Sequence, residues 1–239
     1  ILSGDIGTTG DAADNAYHVL VFNGGDGIGN DTDANITSDT ELNGVTITGG
    51  TANGADALNK RGGGLFCDGR GPGNACSPTF TGLIFTDNVA GDSGGAIFNY
   101  GFRGTSSPQV TSATFTGNSA GNSGGAIFNH GSEGTSSPQI TNATFTGNAA
   151  SSGGAMYNFG GIGGTSSPVI TNATFIDGSA DVFGGAIFNS DLDGEASSPQ
   201  IINATFTGNA AGSSGGAIYN TGQGSTISLQ LTNTILWGN

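Results

Sequence analysis

The chain has 239 residues, 47 of them Gly and only 9% Asp, Glu, Lys or Arg, a length that suits one domain of middling size. The formal net charge is −14, with Lys60, Arg61, Arg70 and Arg103 as the only fixed cations; phosphate-rich partners need clustered basic residues, so nucleic acid and anionic membrane surfaces are poor partners. No stretch is long and apolar enough to span a bilayer, and 14 Phe in a regular apolar pattern argue against disorder.

The chain opens on a strand, Ile1-Leu2-Ser3, and closes on another, Ile235-Leu236-Trp237. Repeat folds normally carry atypical units at their ends, so the expectation is a fragment or mature piece of something longer. Nine of the eighteen acids fall within the first 56 residues, which marks 1–61 as a divergent, acidic lead-in to the regular coils of 62–239, all within one domain. In the lead-in, the run from Gly24 to Asp33 partly resembles the GGxGxDxUx nonapeptide of calcium-binding β-rolls. It makes Asp26, Asn30, Asp31 and Asp33 a candidate calcium site, because hard cations take oxygen ligands. The run occurs once and has Gly29 where an Asp is wanted, so a solvated acidic turn is the competing reading. No other cofactor is indicated.

Cys67 and Cys76 flank a Gly/Pro-rich loop short enough for its ends to meet. A disulfide there fits a secreted protein; two free thiols are the alternative.

From Gly63 onward the chain repeats itself every thirty residues or so. GGAIFN begins at Gly94 and Gly124, returns as GGAMYN at Gly153, as GGAIFN at Gly184 and as GGAIYN at Gly215. A second block, SPQ(V/I)T(S/N)ATF, interleaves with it and places Phe at 85, 115, 145, 175 and 206. Length changes fall only in the connectors, as expected of strands joined by surface loops. The apolar blocks are too short, and too rich in Gly, Thr and β-branched residues, for helices. Three short strands per unit, stacked coil on coil, predict an all-β right-handed parallel β-helix.

Alternation assigns the faces. Ala113 and Phe115 point inward, Thr114 and Thr116 outward. In GGAIFN, Ile127 and Asn129 share the inner side, Ala126 and Phe128 the outer. Asn99, Asn129, Asn158, Asn189 and Asn220 then form a ladder at an inner corner. Asn88, Asn118, Asn148, Asn209 and Asn239 form a second, interrupted by Gly178; Asn142, Asn172, Asn203 and Asn233 form a third.

FTDN/GGAIFN, FTGN/GGAIFN, FTGN/GGAMYN, FIDG/GGAIFN and FTGN/GGAIYN resemble the paired GGAI and FxxN signature of the chlamydial polymorphic outer membrane proteins and of bacterial right-handed parallel β-helix repeat surface proteins. The resemblance covers most of the chain. It implies export, display at the bacterial cell surface and, often, adhesion.

Enzymes on this fold, chiefly polysaccharide lyases and hydrolases, need carboxylates or calcium with a basic residue gathered on one sheet. Here the acids lie in loops: Asp92, Glu133, Asp181, Asp191, Asp193 and Glu195. The expectation is therefore a non-catalytic structural or adhesive protein, with another protein or a cell-surface carbohydrate as partner, or copies of itself joined through the helix ends as a filament. Two outer faces are candidate contact surfaces. Phe66, Phe98, Phe128, Tyr157, Phe188 and Tyr219 form an aromatic stripe of the kind that marks interaction sites, unless the loops fold over it. Thr46, Thr48, Thr114, Thr116, Thr144, Thr146, Thr205 and Thr207 form a TxT grid resembling the ice-binding faces of β-helical antifreeze proteins; Thr is also simply a good exposed strand residue.

Overall fold

A computed structural model describes residues 1–6, 8, 10–25, 35–192, 197–224 and 226–239. The described residues form a parallel β-solenoid with coils of about 30 residues. Its strands line up in four parallel sheets of eight, seven, seven and six strands. Each coil visits them in the same order, as the coil around residue 115 shows. The IFN strand Ile97–Tyr100 is followed by the QVT strand Gln109–Thr111, the TFT strand Thr114–Thr116 and a short strand, Ser119–Ala120. The first three are the strands expected from the sequence; the fourth sheet is additional. Its strands are mostly two residues long, too short to leave a periodic signal.

Sharp corners separate these strands, and the repeats are written to make them. Between the QVT and TFT strands the chain turns on one left-handed residue: Ser112, Asn142, Asn172, Asn203 and Asn233 take φ between 48° and 56°. Asn tolerates this region better than other side-chain-bearing residues, which accounts for the recurring TNAT. The GG of GGAI has two separate causes. Gly124 sits at φ 63°, where a Cβ is disfavoured. Gly125 lies so close to the next coil that a Cβ would run into the carbonyl oxygens of Gly154 and Ala149.

The core is built from columns of like residues, one per coil. Phe85, Phe115, Phe145, Phe175 and Phe206 stack at centroid distances of 4.6–5.0 Å with rings within 2–4° of parallel. That spacing is the inter-strand repeat, so register in the sheet fixes the ring geometry. Leu65, Ile97, Ile127, Met156 and Ile187 form a second buried column, and Phe80, Val110, Ile140, Ile170 and Ile201 a third. Ala126 belongs to this main core as well. It does not join Phe128 on the outer side, because the strand begins at Ile127 and alternation does not reach back past it.

The Asn ladders hold the corners. Asn99, Asn129, Asn158 and Asn189 each donate Nδ2–H to Oδ1 of the next coil's Asn at 2.7–2.8 Å, ending on Asn220. The second ladder runs from Asn88 through Asn118 to Asn148 and resumes between Asn209 and Asn239. At the gap, the backbone N–H of Gly178 donates to Asn209 Oδ1. Apart from their exposed ends at Asn220 and Asn239 both ladders are buried, and along them each amide satisfies the next, as buried polar groups must; Asn99 Oδ1, at the start of the first ladder, has no partner. The third ladder is exposed and runs the other way: Asn172 donates to Asn142, Asn203 to Asn172 and Asn233 to Asn203.

Candidate functional site

Cys67 and Cys76 form a disulfide, with Cα atoms 5.7 Å apart. Cys67 occupies the register position that Asn99 holds one coil later. Among the described residues no three His, Cys, Asp or Glu side chains gather as a metal set. The calcium candidates Asp26, Asn30, Asp31 and Asp33 lie outside the described residues, as do Asp193 and Glu195.

The TxT residues do share the outer face of the eight-stranded sheet. Thr114 pairs in register with Thr144 and Thr116 with Thr146. The columns are broken, however, by Ile84, Ile176, Ile235 and Trp237. A further Thr column, Thr81, Thr111, Thr141 and Thr171, continues around the corner on the adjacent sheet.

The aromatic stripe is for the most part not a surface. Phe98 is fully buried, Phe66, Phe128 and Phe188 nearly so, and Tyr157 and Tyr219 half-buried. Phe66, Phe98 and Phe128 form a satellite core packed against Leu58, Tyr100, Tyr157 and Phe159. The cover comes from two sources. One is the second outward column of the same sheet, where Tyr100, His130 and Phe159 follow each other in register. The other is the connector entering the sheet, where Arg61, Ser93, Ser123, Ser152, Phe183 and Ser214 occupy one position coil after coil.

That connector position decides where the aromatic column opens. Arg61 lies over the Phe98 ring, 5.3 Å from its centroid. Phe183 stacks on Tyr219 at 4.6 Å and lies 5.9 Å from Phe188. Between these two lids stand only serines, and there a recess of about 300 Å³ opens, lined by Arg61, Asp92, Asn122, Phe128, His130, Tyr157 and Phe159 among others. Asp92 anchors its polar rim. One carboxylate oxygen accepts from Arg61 Nε at 2.8 Å, the other from Asn122 Nδ2 at 2.7 Å. Burial works against this carboxylate, but the bonds from Arg61 and Asn122 outweigh it and hold its pKa below the ordinary value. Burial also raises the Tyr157 hydroxyl.

His130 forms the side wall, 6.0 Å from Phe128 and 5.3 Å from Phe159, ring to ring. Its Nδ1 is buried without a hydrogen-bond partner. Burial, and then the nearby Arg61 charge, lower its pKa from 6.5 to about 4. The unfolded chain therefore takes up a proton below pH 6.5 that the folded chain refuses until about pH 4. Stability from this residue should fall by about 3 kcal/mol as pH drops through that window and then level off. Urea titrations across pH 4–7 measure it. His130→Phe, which places the side chain found at Phe159, should flatten the profile and leave what His18, also lowered by burial, contributes, opposed at the acid end by Asp68, whose carboxyl burial raises. An unchanged slope in that variant would show that the proton goes elsewhere.

The model of the Chlamydia polymorphic membrane protein repeat matches residues 82–100, 112–130 and 203–221. Each stretch runs from the turn before a TFT or IFT strand, through the short strand, to the IFN or IYN strand. The chain is a β-helix repeat protein resembling the polymorphic membrane proteins. No curated protein and no solved structure matches it. The polymorphic membrane protein repeat thus includes the connector that carries Asp92, Ser93, Asn122 and Ser123, and both recess-lining stretches around 92 and 122 fall inside matched segments. Sequence reasoning found Phe128 and Tyr157 but missed Arg61, Asp92, Asn122, His130 and Phe159 as a group. The available signal was the change from Arg61 to serines to Phe183 at one repeat position.

Proposed function

We propose that this chain is a non-catalytic, adhesive and structural segment of a protein displayed at a bacterial surface, and that its contacts are made from the connector side of the solenoid. The observation that carries this reading is the division of labour around each coil. The strands repeat a narrow set of residues and hold one another in register, whereas Arg61, Asp92, Arg103 and Glu133 lie in the connectors; Asp181 and Asp191, expected in loops, fall instead within the strands Ser179–Phe183 and Ile187–Leu192, where the connector has extended the ladder. A rigid stack with variable connectors suits presentation better than turnover. The name of the matched repeat family, a membrane protein family, supports display at a cell envelope. Among the described residues no helix is long and apolar enough to cross a membrane. An ice-binding role has weaker support, because Ile84, Ile176 and Trp237 interrupt the Thr columns.

Beads coated with the chain should be retained under flow on cell monolayers, on matrix-protein films or on one another, above albumin-coated beads. Retention no better than albumin on all three would sink the adhesive reading.

A further inference from the structure

The recess between the Arg61 and Phe183 lids has the makings of a ligand site. Its floor and wall are rings: Phe128 and Tyr157 stack at 5.0 Å, and His130 and Phe159 meet edge-on at 66°. Its rim is planar and polar. Asp92 is held in place from both sides, and Arg61 spends only Nε on it, leaving both Nη groups without a hydrogen bond among the described residues. Asn122 is exposed at the edge. About 300 Å³ falls at the small end of ligand sites, which run from about 300 to 1,000 Å³.

We propose that this recess binds a neutral saccharide unit, a mono- or disaccharide portion of a longer glycan. The proposal deepens the adhesive reading and rests on it for its biological role. The chemistry of the lining selects the class. Phe128 is stacked between Phe98 and Tyr157, so the floor offers ring edges, and the C–H groups of a pyranose pack against these and against His130 and Phe159 as other apolar groups do. Its vicinal hydroxyls both donate and accept, and they match a rim that offers a fixed carboxylate, a carboxamide and unspent guanidinium donors side by side. Charge selects against the acidic members of that class. The one cation of the rim is already paired with Asp92, and the chain as a whole carries a formal −14, so an anionic glycan meets net repulsion. A purely apolar ligand would leave the Asp92 and Arg61 groups unsatisfied on desolvation.

The same connector position also explains why the site occurs at this point of the rod. Where Phe183 stands, the cavity over Tyr219 is filled by the chain's own ring; where Ser123 stands, the equivalent space is open. Ser123→Phe should therefore close the recess with a side chain the fold already accepts at that repeat position, and of the lining groups it deletes only the Ser123 hydroxyl.

The probes are an array of neutral glucose, galactose and N-acetylglucosamine oligomers, with heparin fragments and sialylated oligosaccharides as the acidic arm, followed by titration of the best neutral oligomer. Wild type should bind at least one neutral oligomer in preference to the acidic ones. Ser123→Phe should weaken binding at least tenfold with its thermal midpoint unchanged or raised. Asn122→Ala, at an exposed position, should weaken it severalfold and serves if Ser123→Phe fails to fold. No binding to any neutral oligomer, preference for the acidic arm, or unchanged binding in the folded variants would each overturn the proposal. The bead assay keeps the two readings apart. Retention together with no binding, or unchanged binding in Ser123→Phe, of the neutral oligomers refutes the saccharide site and leaves adhesion standing; oligosaccharide binding lost in Ser123→Phe without any retention does the reverse.

Discussion

Phe145→Ala is expected to destabilise the solenoid by about 3–5 kcal/mol, the range for deleting a fully buried ring. Phe145 is 1% exposed and lies between Phe115 at 4.6 Å and Phe175 at 4.7 Å, nearly parallel to both. The cavity cannot collapse, because the flanking rings are pinned by the register of their own strands. Each lost ring pair adds to the transfer cost. Phe145→Leu should cost far less, about 1–2 kcal/mol, since the same column accepts Ile47 at one end and Leu236 at the other. The position is central in the stack, and a solenoid is stabilised by nearest-neighbour interfaces. Hydrogen exchange should therefore speed up first in the coils on either side of residue 145, while urea melts followed by circular dichroism give the total. A loss below 1 kcal/mol for the Ala variant would mean that the column is not what holds the coils together.

Loss of the Cys67–Cys76 bond, by Cys67→Ser with Cys76→Ser, is expected to cost about 2–5 kcal/mol, as for other native disulfides. The bond closes a loop with a sequence separation of 9, and chain entropy alone accounts for about 2–3 kcal/mol of this. The more informative variant pairs Cys67→Asn with Cys76→Ser. Cys67 stands in register with Asn99, and Cys76 in the place taken by Ser106 in the following coil. Asn99 donates onward to Asn129, but its own Oδ1 is buried and unpartnered, because the residue before it in the column is a cysteine. An Asn at 67 supplies the missing donor. That variant should recover a substantial part of the loss, measured by urea midpoint beside the double-Ser protein. If the two are equally unstable, the disulfide is not a replacement for the ladder's corner.

The inner columns were legible in the sequence because they obey one short rule. Phe at 85, 115, 145, 175 and 206, with Thr on either side in most coils, declares both a strand and its buried face within three residues. The Asn ladders were legible for the same reason. What lay beyond reach depended on pairs distant in the chain. Whether Phe98 is exposed is decided by Arg61, and the state of Tyr219 by Phe183; neither cover residue lies on the strand it covers. The sequence leaves open whether the stripe is a contact surface or lies under cover; among the described residues it is a largely buried column that opens into a recess between Arg61 and Phe183. The short fourth sheet escaped because alternation needs more than two residues to show itself, and Ala126 because a strand's first residue decides where alternation starts.

The directionality of the buried ladder from Asn99 to Asn220 bears on how long such a rod can be. Every link has its donor facing one neighbour and its acceptor the other. A whole coil copied into the stack arrives with both in the correct sense, and a whole coil removed lets the two neighbours join without an orphaned amide. Partial insertions have no such privilege inside the strands, where one residue reverses every face. The number of coils is thus a quantity that tandem duplication and deletion can vary in whole steps at little cost to stability, so that the length of the solenoid can evolve separately from what it presents along its side.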